Sequence, residues 1–364
     1  MSKTLRAIGL MSGTSLDGVD VALLETDGED IVKRGPSATY PYGEGMLALL
    51  RRALADAAQV SHRDDRVGSM TECEANITRH HVEAVQSFFS QHDLSASNIE
   101  VIGFHGQTVV HKPELRLTIQ LGDGQALAKA IGIPVVYDMR AADVAAGGQG
   151  APLVPAYHRA LAKTKPAVFV NIGGVANVTF VGSDGTVLAF DTGPGNALLD
   201  DWMIKHQGVT YDAGGATALS GTVSSIHMQL AQAHPYFKQA PPKSLDRNSF
   251  SDLDFGGLSF ADGAATLAAL TAETIARSAD WFPEVPRQWV ICGGGRHNAA
   301  IMQHLQLSVP NVVPAEALGL NGDSMEAEAW AYLGVRSLKA LPITFPGTTG
   351  VPEPLCGGVL AKPR

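Results

Sequence analysis

Residues 7–24 read Ala7-Ile8-Gly9-Leu10-Met11-Ser12-Gly13-Thr14-Ser15-Leu16-Asp17-Gly18-Val19-Asp20-Val21-Ala22-Leu23-Leu24, and this stretch decides the fold. An apolar strand runs into a small turn and a second apolar strand runs out. Between Ser12 and Gly18 stand two glycines, three hydroxyls and an acid, more than a tight turn needs. Such a turn presents backbone N–H groups and hydroxyls to an anion such as a phosphate. It lacks the Gly-Lys-[Ser/Thr] ending of a P-loop. It also leads into a strand, whereas a dinucleotide fingerprint leads into a helix. A β-turn without ligand is the plainer alternative.

The pattern returns at Ala167-Val168-Phe169-Val170-Asn171-Ile172-Gly173-Gly174-Val175-Ala176-Asn177-Val178-Thr179-Phe180-Val181. Two such hairpins half a chain apart suggest two related lobes with a nucleotide clamped between them. A chain of 364 residues is also long enough for two domains. We expect an N-terminal lobe over residues 1–137 with the phosphate-binding hairpin. A C-terminal lobe over 138–364 would carry a catalytic aspartate and an adenosine site, its last residues packing back on the first lobe. The net charge of −9, with scattered Lys and Arg, argues against nucleic-acid and membrane-surface partners. Cys73, Cys292 and Cys356 show no metal or disulfide spacing. Residues 1–6 lead into a strand without a leader-like apolar segment, and no apolar run has the length of a membrane span. The expected setting is the cytoplasm.

Periodicity predicts helices over residues 44–59 and 71–92, a strand at 101–104, a turn at 105–108 and a strand at 117–121. Asp123 is placed to cap a helix over 124–131 that Gly132 stops; a strand follows at 133–137. Residues 138–152 are small, glycine-rich and irregular, the expected crossing between lobes and a piece of the cleft. Beyond Pro166, strands are predicted at 167–170, 175–181, 187–190 and 289–292, with helices at 197–207, 261–282 and 324–341. The mixture means an α/β fold. Residues 239–255 read as a loop without an assigned role.

Asp191, in Phe190-Asp191-Thr192-Gly193-Pro194-Gly195-Asn196, is placed at the end of a buried strand before a helix. A carboxylate fixed and partly desolvated there suits a general base or a metal ligand, although a capping or turn aspartate reads equally well in isolation. Cys292-Gly293-Gly294-Gly295-Arg296-His297-Asn298 allows close backbone approach to a flat ligand. With Asn171, Gly173 and Gly174 it forms the candidate nucleotide seat, a strand-to-helix turn being the alternative. In the first hairpin the candidates are Gly13, Thr14, Ser15, Leu16, Asp17, Gly18, Val19 and Asp20, with Asp17 able to hold Mg²⁺ directly or through water. Thr108 suits a sugar hydroxyl. Arg140 needs an anionic partner, which is a substrate carboxylate or else Asp138 or Asp143. Glu326 opens a helix, where it faces the cleft or caps.

Together these segments resemble the 1,6-anhydro-N-acetylmuramic acid kinase family, within the sugar kinase/hexokinase/actin superfamily. The matching residues are 9–20, His105-Gly106-Gln107-Thr108, 143–155, Asn171-Ile172-Gly173-Gly174-Val175-Ala176-Asn177, 190–196 and Cys292-Gly293-Gly294-Gly295. The tail from Thr348 departs from the family's usual end, and Glu328 and Trp330 stand in a helix that is more apolar in the family. The resemblance implies a two-lobed fold with an ATP and sugar cleft between lobes, with ATP and Mg²⁺ as cofactors. It implies hydrolytic opening of 1,6-anhydro-N-acetylmuramic acid with phosphorylation of O6 in peptidoglycan recycling. Asp191 would be the base, residues 13–20 the phosphate cradle, and Thr108, Arg140 and Glu326 the sugar contacts. A homodimer is compatible with it. Two other readings stay open: an ordinary sugar or acid kinase, and a non-catalytic ATP-binding actin-like module.

Overall fold

The structure, a computed structural model, describes residues 3–13, 16–247 and 249–363. From Ala7 onward strand β1 (Leu5–Ser12) is buried on both faces. It pairs antiparallel with β2 (Gly18–Thr26), Met11 opposite Asp20, and β2 pairs with β3 (Val32–Pro41). On its other side β1 lies parallel to β4 (Val101–Lys112). β4 carries β5 (Leu117–Leu121) antiparallel and β6 (Val135–Tyr137) parallel. A C-terminal strand, Val359–Ala361, closes the sheet against β6.

Two facing glycines let a helix lie on this sheet. Gly9 and Gly103 are register partners on β1 and β4. A Cβ on either would run into the carbonyl oxygens of Ala327 and Trp330 in the helix Met325–Leu338. That helix is buried almost throughout. The sheet's other apolar residues pack with the helices Glu44–Asp56 and Met70–Gln91 around Leu50, Ile77, Val85, Phe88 and Phe104.

The second sheet is built from β7 (Ala167–Ile172), β8 (Val175–Val181), β9 (Val187–Pro194), β10 (Gln288–Cys292) and β11 (Val312–Pro314). Its order is β11-β10-β7-β8-β9, with β10 parallel to β7 and to β11. The first sheet contains the same arrangement as β6-β4-β1-β2-β3. In each, a three-strand antiparallel meander is extended on its first strand by two parallel strands. The resemblance between the two hairpins in the sequence thus corresponds to a repeated sheet topology, and the fold class is α/β as expected. The helix Phe260–Ala276 is rich in alanine and is buried from Gly263 to Ala272, so it packs closely on this sheet, with Gly263 against the Trp202 indole.

The chain divides into two compact units, Met1–Leu161 with Ser324–Arg364, and Ala162–Asp323. The lobe boundary read after residue 137 therefore falls inside the first unit. Residues 138–152, read as an irregular crossing, contain the helix Ala141–Ala145. Asp143 in that helix accepts hydrogen bonds from Gly150 N at 2.6 Å and Thr349 Oγ1 at 2.7 Å. These bonds tie the segment to the first unit. Other helix ends follow the reading closely: Asp123 accepts from Gln125 N and Ala126 N, and Gly132 ends the helix Gly124–Ile131 in the left-handed region. Among the described residues, no helix is long and apolar enough to cross a membrane.

Candidate active site

In the first unit, the turn after β1 is held from below. Ser12 Oγ donates to Gly106 O at 2.9 Å, and Gln107 Nε2 donates to Gly13 O at 3.1 Å. Leu16 N–H donates to Gly13 O at 3.2 Å, with Leu16 at φ 60°. Thr14 and Ser15, read as phosphate contacts, lie outside the described residues. Two other members of the expected cradle have different work. Val19 is buried in the apolar core, so only its backbone can meet a ligand. Gly18 is glycine because a Cβ there would meet the Tyr40 carbonyl of β3. Asp17 is exposed, and Asp20 Oδ1 accepts from Thr39 Oγ1 at 2.5 Å.

The predicted turn at residues 105–108 is instead part of β4. Gly106 takes φ 72° where the pairing with β1 shifts register between Leu10 and Ser12, so the chain bulges without leaving the sheet. Thr108 accepts from Gln120 Nε2 at 3.2 Å. His105 becomes central. Its Nε2 accepts from Arg140 Nε and Nη2, each at 3.1 Å. Its Nδ1 stands 3.3 Å from Ser12 O. Its ring lies 4.5 Å from that of Trp330. Burial and the neighbouring guanidinium hold the imidazole pKa well below its ordinary value. A neutral ring with the proton on Nδ1 satisfies all three bonds.

Arg140 also donates to Gly150 O at 2.8 Å and lies over the Trp330 ring at 5.3 Å. Burial pulls its pKa down to about 10, so it stays charged at neutral pH. Neither acid considered in the sequence bonds it: Asp138 pairs with Arg63, and Asp143 is taken up by Gly150 and Thr349. Two carboxyls sense Arg140 through space, Glu326 and Asp143; the Glu326 pKa is raised chiefly by desolvation, with Asp17 and Asp20 adding and Arg140 opposing. Glu326 is nevertheless open to solvent. Arg140 is thus oriented by neutral or aromatic groups, which leaves its charge available to an anion. Glu328 belongs to a separate cluster with Tyr157 Oη at 2.7 Å and Ser324 Oγ at 3.1 Å.

In the second unit, three glycine-rich segments converge. Asn196 N–H donates to Gly173 O at 2.7 Å, and Gly195 N–H to Gly174 O at 2.9 Å. Gly293, at φ 72°, passes so close to Asn171 Oδ1 and Ile172 O that a Cβ would not fit. Gly295 is buried against Ile172, whereas a Cβ on Gly294 would meet only Asn196 Nδ2, at 4.0 Å. Arg296 fixes the loop through Gly293 O, Glu316 and Asp323, each at 2.9 Å. Asn171, Gly173, Gly174 and Gly293–Gly295 are therefore neighbours, as a shared ligand seat requires.

Asp191 does not end its strand. β9 continues to Pro194, and the pairing with β8 passes from Asn177↔Asp191 to Ala176↔Gly193. Thr192 is the extra residue of a β-bulge, a device that re-aims neighbouring side chains. β9 is the edge of its sheet, and the segment from Tyr236 to Leu245 takes up the open side of Asp191. Asp191 N–H donates to Lys243 O at 3.0 Å, and Tyr236 Oη donates to Asp191 O at 2.6 Å. Leu245 N–H donates to Asp191 Oδ2 at 2.7 Å. Burial raises the carboxyl to about 6, the Leu245 bond pulling the other way. The half-buried carboxyl is a base near neutral pH. The loop without an assigned role is thus the part of the chain that grips it. No spacing in the sequence announces a contact made 54 residues away.

Among the described residues, no three His, Cys, Asp or Glu side chains come together as a metal cage. A Mg²⁺ carried on nucleotide phosphates keeps several waters and needs one or two carboxylates. Asp17 and Asp20 fit that requirement, beside the phosphate-type turn and within electrostatic reach of Glu326.

The family model described as "Anhydro-N-acetylmuramic acid kinase" matches residues 5–362, so the tail after Thr348 lies within the family's span. A protein of that name from Rhodopseudomonas palustris (strain BisB18) is 50% identical over 99% of this chain and 100% of its own length. Another from Agrobacterium fabrum is 49% identical over the full length of both. Among solved structures, the activator of the 2-hydroxyisocaproyl-CoA dehydratase from Clostridium difficile with bound ADPNP is similar at a TM-score of 0.48. It is 13% identical over 92% of this chain and 96% of that one.

Proposed function

The chain belongs to the anhydro-N-acetylmuramic acid kinase family, and on that premise we propose that it uses ATP to open and phosphorylate 1,6-anhydro-N-acetylmuramic acid. Water attacks C1 of the sugar, the C1–O6 bond breaks, and O6 takes the γ-phosphoryl group as the bond to ADP breaks. The attacking water's proton passes to Asp191. The products are N-acetylmuramic acid 6-phosphate and ADP, as peptidoglycan recycling in the cytoplasm would require.

The observation that carries this reading is Asp191: one partly desolvated carboxyl near 6, aimed by a bulge and held by a backbone N–H. Water activated by a base on the face opposite the leaving oxygen gives inversion, as in single-displacement glycoside hydrolysis. Ordinary glycosidases add an acid to protonate the leaving oxygen. Here phosphorus captures O6, so one carboxyl suffices. Arg140, charged and oriented by His105, suits the lactyl carboxylate of the sugar, with Glu326 and Thr108 as further sugar contacts. Gly13, Leu16 and the backbone of residues 17–20 would line the phosphates, and Asn171, Gly173, Gly174 and Gly293–Gly295 the nucleoside. Mg²⁺ near Asp17 would neutralise charge developing on the phosphates.

Turnover in ¹⁸O-labelled water tests the reaction. The expected product carries the label at C1 and none in the phosphate. Label absent from C1 would leave an ordinary kinase, with Asp191 deprotonating a substrate hydroxyl.

A further inference from the structure

We propose that Lys243 is a positioning residue for the base, its ammonium anchoring the segment from Tyr236 to Leu245 whose backbone and phenol hold Asp191. This rests on the reading of Asp191 as the base. Three observations carry it. The segment makes three hydrogen bonds to one residue, through Asp191's N–H, its C=O and its carboxylate. Two of the three come from Lys243 itself and from Leu245, two residues on. And the Lys243 side chain is spent inside the structure. Its Nζ lies 4.5 Å from the Tyr236 ring centre and 5.8 Å from those of Phe190 and Trp281. It also donates to Tyr236 O at 3.3 Å.

The arrangement is a closed loop of contacts. Phe190 and Asp191 are successive residues of β9, so their side chains project to opposite faces. The ammonium lies against the ring on one face while the backbone of the same segment reaches the carboxylate presented on the other. A cation close to several aromatic faces is attracted by the negative side of each ring's quadrupole, and the attraction strengthens as water is removed. A cavity of about 220 Å³ lies beside it, lined by Phe190, Lys243, Arg277 and Trp281 among others. Burial and the Arg277 charge lower the Lys243 pKa, while the three ring faces offer the ammonium an attraction in return. The charged and titratable groups around the segment are Tyr236, Lys238 and Lys243 within it, and Arg277 and Asp280 from the turn Arg277–Trp281 that faces it. At Asp191 itself, burial raises the carboxyl and the Leu245 N–H lowers it, while Tyr236 senses its charge. A segment no longer anchored loosens its hold on the carboxylate, and without the Leu245 bond the base becomes harder to ionise.

The test is the pH profile of kcat/KM for the anhydro sugar, measured with ATP and Mg²⁺ on the full chain. Wild type should show an acid limb near pH 6. Lys243→Met should move that limb up by about half to one pH unit, with several-fold lower activity at pH 6.5, recovery by pH 8.5 and an unchanged KM for ATP. Lys243→Arg, which keeps a cation over the rings, should restore the wild-type limb. Lys238→Met, an exposed neighbour, should leave it in place. Tyr236→Phe keeps the ring and loses the bond to Asp191 O, so it should shift the limb the same way. It serves as the test should Lys243→Met not fold. An unmoved limb in Lys243→Met, or in Tyr236→Phe where that variant stands in, overturns the proposal while leaving Asp191 as the base. If Asp191→Asn keeps near-normal turnover, the base assignment falls and this proposal falls with it.

Discussion

Replacing Asp191 by Asn should lower turnover by orders of magnitude and stabilise the protein at the same time, and the two effects have one cause. The carboxyl is raised from 3.8 to about 6 by burial. A difference of one pH unit between folded and unfolded pKa corresponds to about 1.36 kcal/mol, so holding this group ionised in the folded state costs up to about 3 kcal/mol. Asp191 keeps some solvent contact, which reduces the expected cost to about 1–2 kcal/mol. Since the folded-state pKa lies above the unfolded one, this contribution to stability is fully present below about pH 4 and is lost as pH rises through about 6. An asparagine side chain in its place never ionises, and its amide oxygen still accepts from Leu245 N–H. The melting temperature of Asp191→Asn relative to wild type should therefore climb between pH 5 and pH 8. The rise expected is about 2–4 °C per kcal/mol for a unit of this size. Over the same range the variant should lose about 10²–10⁴ in kcat, the usual worth of a general base. Differential scanning calorimetry at the two pH values and a coupled ADP-release assay read both quantities. A melting difference independent of pH would refute the desolvation argument. Turnover within tenfold of wild type would refute the assignment of the base.

Arg140→Met should raise KM for the anhydro sugar at least tenfold with little change for ATP, and His105→Phe should reproduce part of that rise, while His105→Gln, which keeps an acceptor, should recover it; initial-rate kinetics decide. Glu326→Gln should lower KM for ATP about two- to fivefold at low ionic strength, because it removes a negative charge coupled to Asp17 and Asp20, and the gain should shrink in about 0.5 M salt. Gly103→Ala should cost about 3 kcal/mol or more, since its Cβ meets helix backbone and not a movable side chain. Gly45→Ala, with open space around it in the helix Glu44–Asp56, should instead add about 0.5–1 kcal/mol; urea unfolding of the pair measures both.

What the sequence makes legible here is whatever a short window determines. Asp123 and Gly132 bracket a helix through contacts to residues two to four positions away, and both are readable. The strands β1, β2, β7 and β8 are each mostly apolar and flank short glycine-containing turns, so the paired hairpins stand out and the repeated topology follows. Local reading fails where a glycine or a bulge lets the chain continue. Gly106 looks like a turn and is a bend within β4. Thr192-Gly193-Pro194 looks like a helix approach and is the end of β9. It fails again where function depends on distant partners. His105 stands in a motif shared with the family but gets no role from the sequence, and its part appears only when Arg140 and Trp330 arrive beside it. Trp330 stands out in the sequence as a departure from the family's apolar helix, yet it forms the surface beneath Arg140. Gly18, read only as part of the phosphate cradle, is also required to be glycine by the neighbouring strand, a demand that no short window shows.

The two ionisable groups on which the proposed reaction depends are tuned by separate means, each within its own unit. Arg140 owes its orientation to His105, Gly150 and Trp330, all in the first unit. Asp191 owes its pKa and its aim to burial, the β9 bulge and the segment from Tyr236 to Leu245, all in the second. The requirements are opposite in kind. A binding cation must keep its charge and spend few donors on acids, so neutral imidazole and an indole face serve better than a carboxylate partner, which would compete with the substrate. A base must be reluctant to stay ionised yet able to do so near neutral pH, so desolvation has to be offset by one well-placed N–H and no more. A second donor on Asp191 would lower its pKa and weaken it as a base. A carboxylate bonded directly to Arg140, where Glu326 and Asp143 act only through space, would occupy the donors that recognise the sugar. Changes around His105 should therefore act on sugar affinity and leave the acid limb of the pH profile alone. Changes around Lys243 should move the limb and leave affinity alone, because neither set of groups has a member that serves both ends of the reaction.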